Sequence, residues 1–210
     1  FSSVLTVNLG YTLLSVSTCL SMALWANRIA YLGSVILPLS MLMIIMEVTA
    51  IGYNKRLSAI LIAISSAMFL ICASQGILDI YYKEVSFAVV NGAATLVKVY
   101  GVLHPLYLVY LLGYFAAMIA AIIRASVKKT VSSTSYAVVL AIAVLVNIGV
   151  WFIEQIADFT FEFLSISYII TELFLLGVRF VMVENQLAFL YEYDYRDKEN
   201  LKMGIIDLPT

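Results

Sequence analysis

Six long apolar runs, at roughly 1–25, 29–52, 57–75, 104–124, 134–155 and 163–183, constrain this chain more than any other feature. A bilayer-crossing helix needs about 20 consecutive, mostly apolar residues. Lipid offers the backbone no hydrogen bonds, so such runs must be helical if they cross it. Charged residues make up only 12% of the 210, against about 25% in a soluble domain. The expectation is an all-α membrane protein, a polytopic helical bundle. The formal net charge of −1 leaves no basic field for nucleic acid.

The connections between runs carry the orientation. Lys55, Arg56, Arg124, Lys128, Lys129 and Arg179 fall on one side if the runs alternate, and Arg28, Lys83 and Lys98 on the other. The positive-inside rule places the first group, and the C-terminus, in the cytoplasm of a cell (inner) membrane. Residues 1–183 then form the membrane bundle, and 184–210 a cytoplasmic helical connector or tail. In the tail, Leu187, Leu190 and Tyr191 share a face at helical spacing. A mechanical output and a tail without one both fit that pattern.

The long interruption at about 76–103 is rich in β-branched and aromatic residues and contains Asn91-Gly92, the dipeptide best suited to a two-residue hairpin turn. It predicts strands at roughly 79–90 and 93–100. Topology puts this hairpin on the extracytoplasmic side. Pro38 in the second run predicts a kink.

Several polar residues are candidates for function. Carboxylates inside a membrane are costly and mark sites by default. Glu172 lies near the middle of the last run, and Asn147 at similar depth in the fifth, so the two can pair if those helices are neighbours. Glu154 and Asp158 gather at the outer end of the fifth run, where Arg28 can meet them. His104 precedes Pro105, a residue suited to a first helical turn, and an outer-surface imidazole is able to sense pH. With Trp25 and Tyr107 these residues make up the expected ligand-binding set: Trp25, Arg28, His104, Tyr107, Asn147, Glu154, Asp158 and Glu172. The simpler alternative for each is structural satisfaction of a polar group or interfacial packing.

Cys19 and Cys72 both lie in apolar runs without metal or redox spacing and read as small buried side chains. A single histidine argues against a His-based metal site. Glycine-rich phosphate loops, GxSxG and HExxH are missing, so neither catalysis nor a cofactor is expected of these residues.

Three stretches resemble a known family. They are "LWANRIAYLGSVILPLSMLMIIMEVTAIG" at 24–52, "YGVLHPLYLVYLLGYF" at 100–115 and "ADFTFEFLSISYIITELFL" at 157–175, the last with Asp158-Phe159-Thr160 before the final run. The chain resembles the seven-helix N-terminal sensor region of bacterial histidine kinases, also found ahead of diguanylate cyclases. The resemblance implies seven helices natively, six of them seen here with the first absent. It further implies a receptor that passes an extracytoplasmic or intramembrane stimulus through the last helix to a cytoplasmic output domain such as a histidine kinase. The expected partners are the bilayer, an unidentified small-molecule, peptide or lipid ligand, and a second copy in a homodimer. A small transporter or channel subunit is the alternative. Against it, no internal repeat of halves is visible.

Overall fold

The computed structural model describes residues 2–48, 51–52 and 54–128, together with scattered helical positions between 142 and 195. The chain divides into two compact units, Phe1–Thr171 and Glu172–Thr210. In the second, the described positions, from Leu173 to Tyr195, are helical.

The described elements of the first unit run in the order α1 (Ser2–Ser15), α2 (Leu20–Val48), α3 (Lys55–Ala73), β1 (Tyr82–Val90), β2 (Ala93–Tyr100) and α4 (His104–Lys128). Among the described residues three helices are long and apolar enough to cross a membrane: Leu20–Glu47, Lys55–Ala73 and His104–Val127. Two expected boundaries differ. The run 1–25 is not one helix, because α1 ends at Ser15 and α2 begins at Leu20. Hydropathy does not register the break, whose residues 16–19 are β-branched or small. Ser15 Oγ and Ser17 Oγ donate to the carbonyls of Thr12 and Leu13, at 2.8 and 2.7 Å, occupying acceptors of the last α1 turn. Arg28, expected between two helices, therefore sits inside α2. Cys19, expected to be buried, lies in the break and is exposed, whereas Cys72 is buried as expected.

The central helix is α2, which packs against α1, α3 and α4. It meets α1 through two glycines. A Cβ on Gly10 would stand 2.3 Å from the Ala30 nitrogen, and one on Gly33 would stand 2.4 Å from the Ser3 carbonyl oxygen. The two backbones touch there, an arrangement that small residues permit in membranes, where close van der Waals packing replaces the hydrophobic drive. Pro38 lies within α2, which continues through it.

Hydroxyls join α2, α3 and α4 at membrane depth. Tyr110 donates to the Val35 carbonyl at 2.7 Å and Tyr114 to the Leu61 carbonyl at 3.1 Å. Ser65 Oγ lies 2.9 Å from the Tyr110 hydroxyl and 3.0 Å from that of Tyr114. Three hydroxyl hydrogens serve these four contacts, so Ser65 is the swivel between the two tyrosines. Tyr110→Phe removes the bond to Val35 and one partner of Ser65. It is expected to lower unfolding free energy by about 1–2 kcal/mol, since a buried hydrogen bond is lost without leaving a charge behind. Thermal unfolding in lipid nanodiscs measures it, and an unchanged midpoint would show that the joint contributes nothing.

The hairpin forms as the sequence predicts. β1 and β2 pair antiparallel, Val90 opposite Ala93, and the turn places Asn91 at φ 51° and Gly92 at φ 83°. Both values are positive, as the I′ turn demands, and glycine adopts them without steric cost. β1 starts at Tyr82 rather than 79. A bulge between Tyr82 and Glu84 shifts the register there. The inner face of the hairpin presents Leu96, Val85 and Phe87 to Leu14, Ala23 and Ala26, at the facing ends of α1 and α2.

Candidate functional site

The site lies where the α3–hairpin turn, the start of β1 and the start of α4 meet α2. Its first component is a clamp. The Arg28 guanidinium donates from Nε to the Ala73 carbonyl at 3.1 Å and from Nη2 to the Gln75 carbonyl at 2.8 Å. These carbonyls fall at and just beyond the end of α3, where helical acceptors lack intrahelical partners and the helix dipole favours a cation. On its other side the guanidinium carbon stands 4.9 Å from the centre of the Trp25 ring, a cation–π geometry. Trp25 itself is exposed. Arg28 is thus committed to the α3 end. Its expected partners Glu154 and Asp158 lie outside the described residues, as do Asn147 and Glu172.

Beside the clamp, the Asn27 amide donates through Nδ2 to the Gln75 Oε1. Both side chains are buried, at 1% and 0% exposure. A buried amide is costly unless its donors and acceptors are all met. Here one bond is made, and Asn27 Oδ1 and Gln75 Nε2 have no partner among the described residues.

The third component is a nest of aromatic rings. Tyr31 of α2 shares a hydrogen bond of 2.5 Å with the Tyr82 hydroxyl. Its ring stands edge-on to Tyr81 at 5.5 Å and to Tyr107 at 5.7 Å. Tyr81 and Tyr82, consecutive in sequence, are both buried, with ring centres 4.8 Å apart. Tyr81 lies in the turn before β1 and Tyr82 is the first strand residue, so strand alternation does not govern the pair and both rings point inward. Burial pushes both phenols well above the ordinary tyrosine range, so they stay protonated and neutral. The Tyr81 hydroxyl adjoins Tyr31 and Cys72, but neither lies at hydrogen-bonding geometry, and it has no such partner among the described residues. His104 opens α4 as expected, but is not simply solvated. It stacks on Tyr100 with ring centres 3.9 Å apart and an interplanar angle of 26°. Lys98 Nζ lies 5.5 Å from the centre of the Tyr82 ring.

Of the expected set, the structure brings His104 and Tyr107 into this aromatic nest and puts Arg28 and Trp25 together at its flank. The sequence reading missed Asn27, Gln75, Tyr81 and Tyr82. Their only sequence signal is position. Asn27 adjoins Arg28 within an apolar run, and the others flank the hairpin entry, where polar and aromatic residues look like ordinary loop chemistry. A separate apolar groove of about 340 Å³ between α2 and α3 is lined by Leu32, Ile36, Ile62 and Phe69, among others. No group of His, Cys, Asp and Glu suited to a metal ion occurs among the described residues.

The family model described as the N-terminal 7TM region of histidine kinase matches residues 1–181. No curated protein and no solved structure matches the chain.

Proposed function

The chain belongs to the N-terminal 7TM regions of histidine kinases, a membrane sensor module of signal transduction, and on that premise we propose that its input is read at the joint between hairpin and α2. The extracytoplasmic or intramembrane stimulus changes how the hairpin seats on α2. The last helix carries the change to a cytoplasmic output domain such as a histidine kinase, the sensor acting as a homodimer in the bacterial inner membrane with its C-terminus inside. Residues 1–183 serve as the sensing bundle and 184–210 as the connector.

The observation that supports this reading is that one short segment of α2, from Asn27 to Tyr31, holds the α3 end, the turn and the strand start through four hydrogen bonds. A stimulus that moves the hairpin must therefore act on α2, which itself packs on α1, α3 and α4. A joint of this kind can act as a switch where a second seating exists and the stimulus favours one seating over the other. The ligand-facing candidates remain Trp25, Arg28, His104, Tyr107, Asn147, Glu154, Asp158 and Glu172.

The test is the output of the full-length protein in its native membrane. Tyr31→Phe removes the phenol bond to Tyr82 while keeping both rings. It is expected to shift basal output at least twofold with little change in protein level. Output identical to wild type, with and without the stimulus, would remove the joint from the signalling path.

A further inference from the structure

The polar groups left over at the joint have a specific chemistry. After the Asn27–Gln75 bond forms, Oδ1 remains as an acceptor and Nε2 as a donor, each one carbon away from the bonded atom of its own amide. Reversing both amides leaves the same complement of one donor group and one acceptor. The Tyr81 hydroxyl is a third unmet group, itself able to donate and accept. All three residues are at most 1% exposed. The amide pair and the phenol belong to one cluster: the Asn27 side chain adjoins the Tyr82 phenol, and the Tyr82 ring centre stands 4.8 Å from that of Tyr81.

We propose that Asn27, Gln75 and Tyr81 form a receptor point for hydroxyl groups, filled by internal water or by the hydroxyls of a small uncharged ligand. A hydroxyl donates one hydrogen and accepts others, which is the complement of an amide pair with one donor and one acceptor free. A carboxylate or phosphate only accepts and would leave the amide acceptor facing a negative oxygen. An ammonium only donates and would leave the amide N–H unmet. The nearby cation Arg28 is engaged with two carbonyls, and the surrounding phenols are neutral. An uncharged hydroxyl therefore meets every unmet group without importing a charge into a buried place. Water needs two to four polar partners in such a site, which these groups supply. This deepens the sensor reading, but its readouts are unfolding and occupancy, so either can fail without the other.

Two measurements on the full-length protein in lipid nanodiscs test it. In thermal unfolding, Tyr81→Phe is expected to lower Tm by about 3 °C if a hydroxyl pairs with the phenol. If the phenol is unpaired, the substitution deletes a desolvated orphan, and Tm stays level or rises, which overturns the role of Tyr81. The ring is retained, so the variant folds. A structure at water-resolving resolution is the second arm. Round density on the free Asn27 and Gln75 atoms identifies internal water, and extended density identifies a hydroxyl-bearing ligand. Another side chain of the chain on those atoms, or bare contact among them, overturns the site.

Discussion

Gly33→Leu is expected to abolish the close α1–α2 seam and to be the most damaging single substitution in the described part of the molecule. A Cβ at this position would stand 2.4 Å from the Ser3 carbonyl oxygen, 2.6 Å from the Val7 nitrogen and 2.6 Å from Val7 Cγ2. Two of these three atoms are backbone, so no rotamer change relieves the clash, and the helices must separate. Val4 and Val7, at 5% and 1% exposure, would then lose their seats against α2. Overpacking a well-filled interior costs about 1–3 kcal/mol and more where backbone must move. We expect at least about 3 kcal/mol from the same source, seen as a large fall in the unfolding midpoint or as failure to recover monodisperse protein. Gly113→Ala is the matched control. It also adds a Cβ inside a helix, but no described residue lies within 4 Å of it. A gain of a few tenths to about 1 kcal/mol is expected there, because alanine is the better helix former. Equal losses at both positions would mean that the seam is not what Gly33 serves.

Arg28→Ala should have the second largest effect, and it should be local as well as global. The variant loses two charge-assisted hydrogen bonds, to Ala73 at 3.1 Å and Gln75 at 2.8 Å, and the stack on Trp25. Hydrogen bonds to charged groups contribute about 1.5–3 kcal/mol each. The guanidinium is only half-buried, and water can reach the freed carbonyls, so a combined loss of about 3 kcal/mol is the expectation. Arg28→Lys should recover less than half, because an ammonium is a point donor and cannot fork to two carbonyls while lying flat on an indole. Hydrogen exchange adds a spatial check. Amides of 74–81 should exchange faster in Arg28→Ala, while those of the Ser65–Tyr110–Tyr114 joint should change little. Uniform acceleration everywhere would show that Arg28 acts on global stability rather than as a clamp on the hairpin entry.

These two positions also show what a linear reading can and cannot see. Gly33 and Gly10 are unremarkable within apolar runs. Their role exists only because α1 turns back at 16–19 and lies against α2, a contact between residues about 20 apart in sequence at Gly10–Ala30 and 26 to 30 apart at Gly33. Arg28 reads as a loop charge because a lone cation inside an apolar helix is costly. It is tolerated within α2 because the end of α3 presents two carbonyls to it. Asn27 and Gln75 are 48 residues apart, so their pairing has no local signature. The tyrosines at 81 and 82 suggest an alternating strand, but the strand begins only at Tyr82 and Tyr81 belongs to the turn before it.

The sequence by itself determined the membrane character, the placement of α3 and α4 to within a few residues, the hairpin with its Asn91-Gly92 turn and the family. The family rests on the resemblance of three stretches, and the rest follows from short-range physics: run length against bilayer thickness, φ > 0 at a two-residue turn, and a proline permitted in a first helical turn. Only the tertiary structure decided where the first apolar run breaks, which glycines set the helix spacing, and which polar side chains meet in the buried joint. Those outcomes depend on which atoms far apart in the chain come within bonding distance. In an apolar solvent that offers no competing hydrogen bonds, such meetings govern where a polar group can be placed at all.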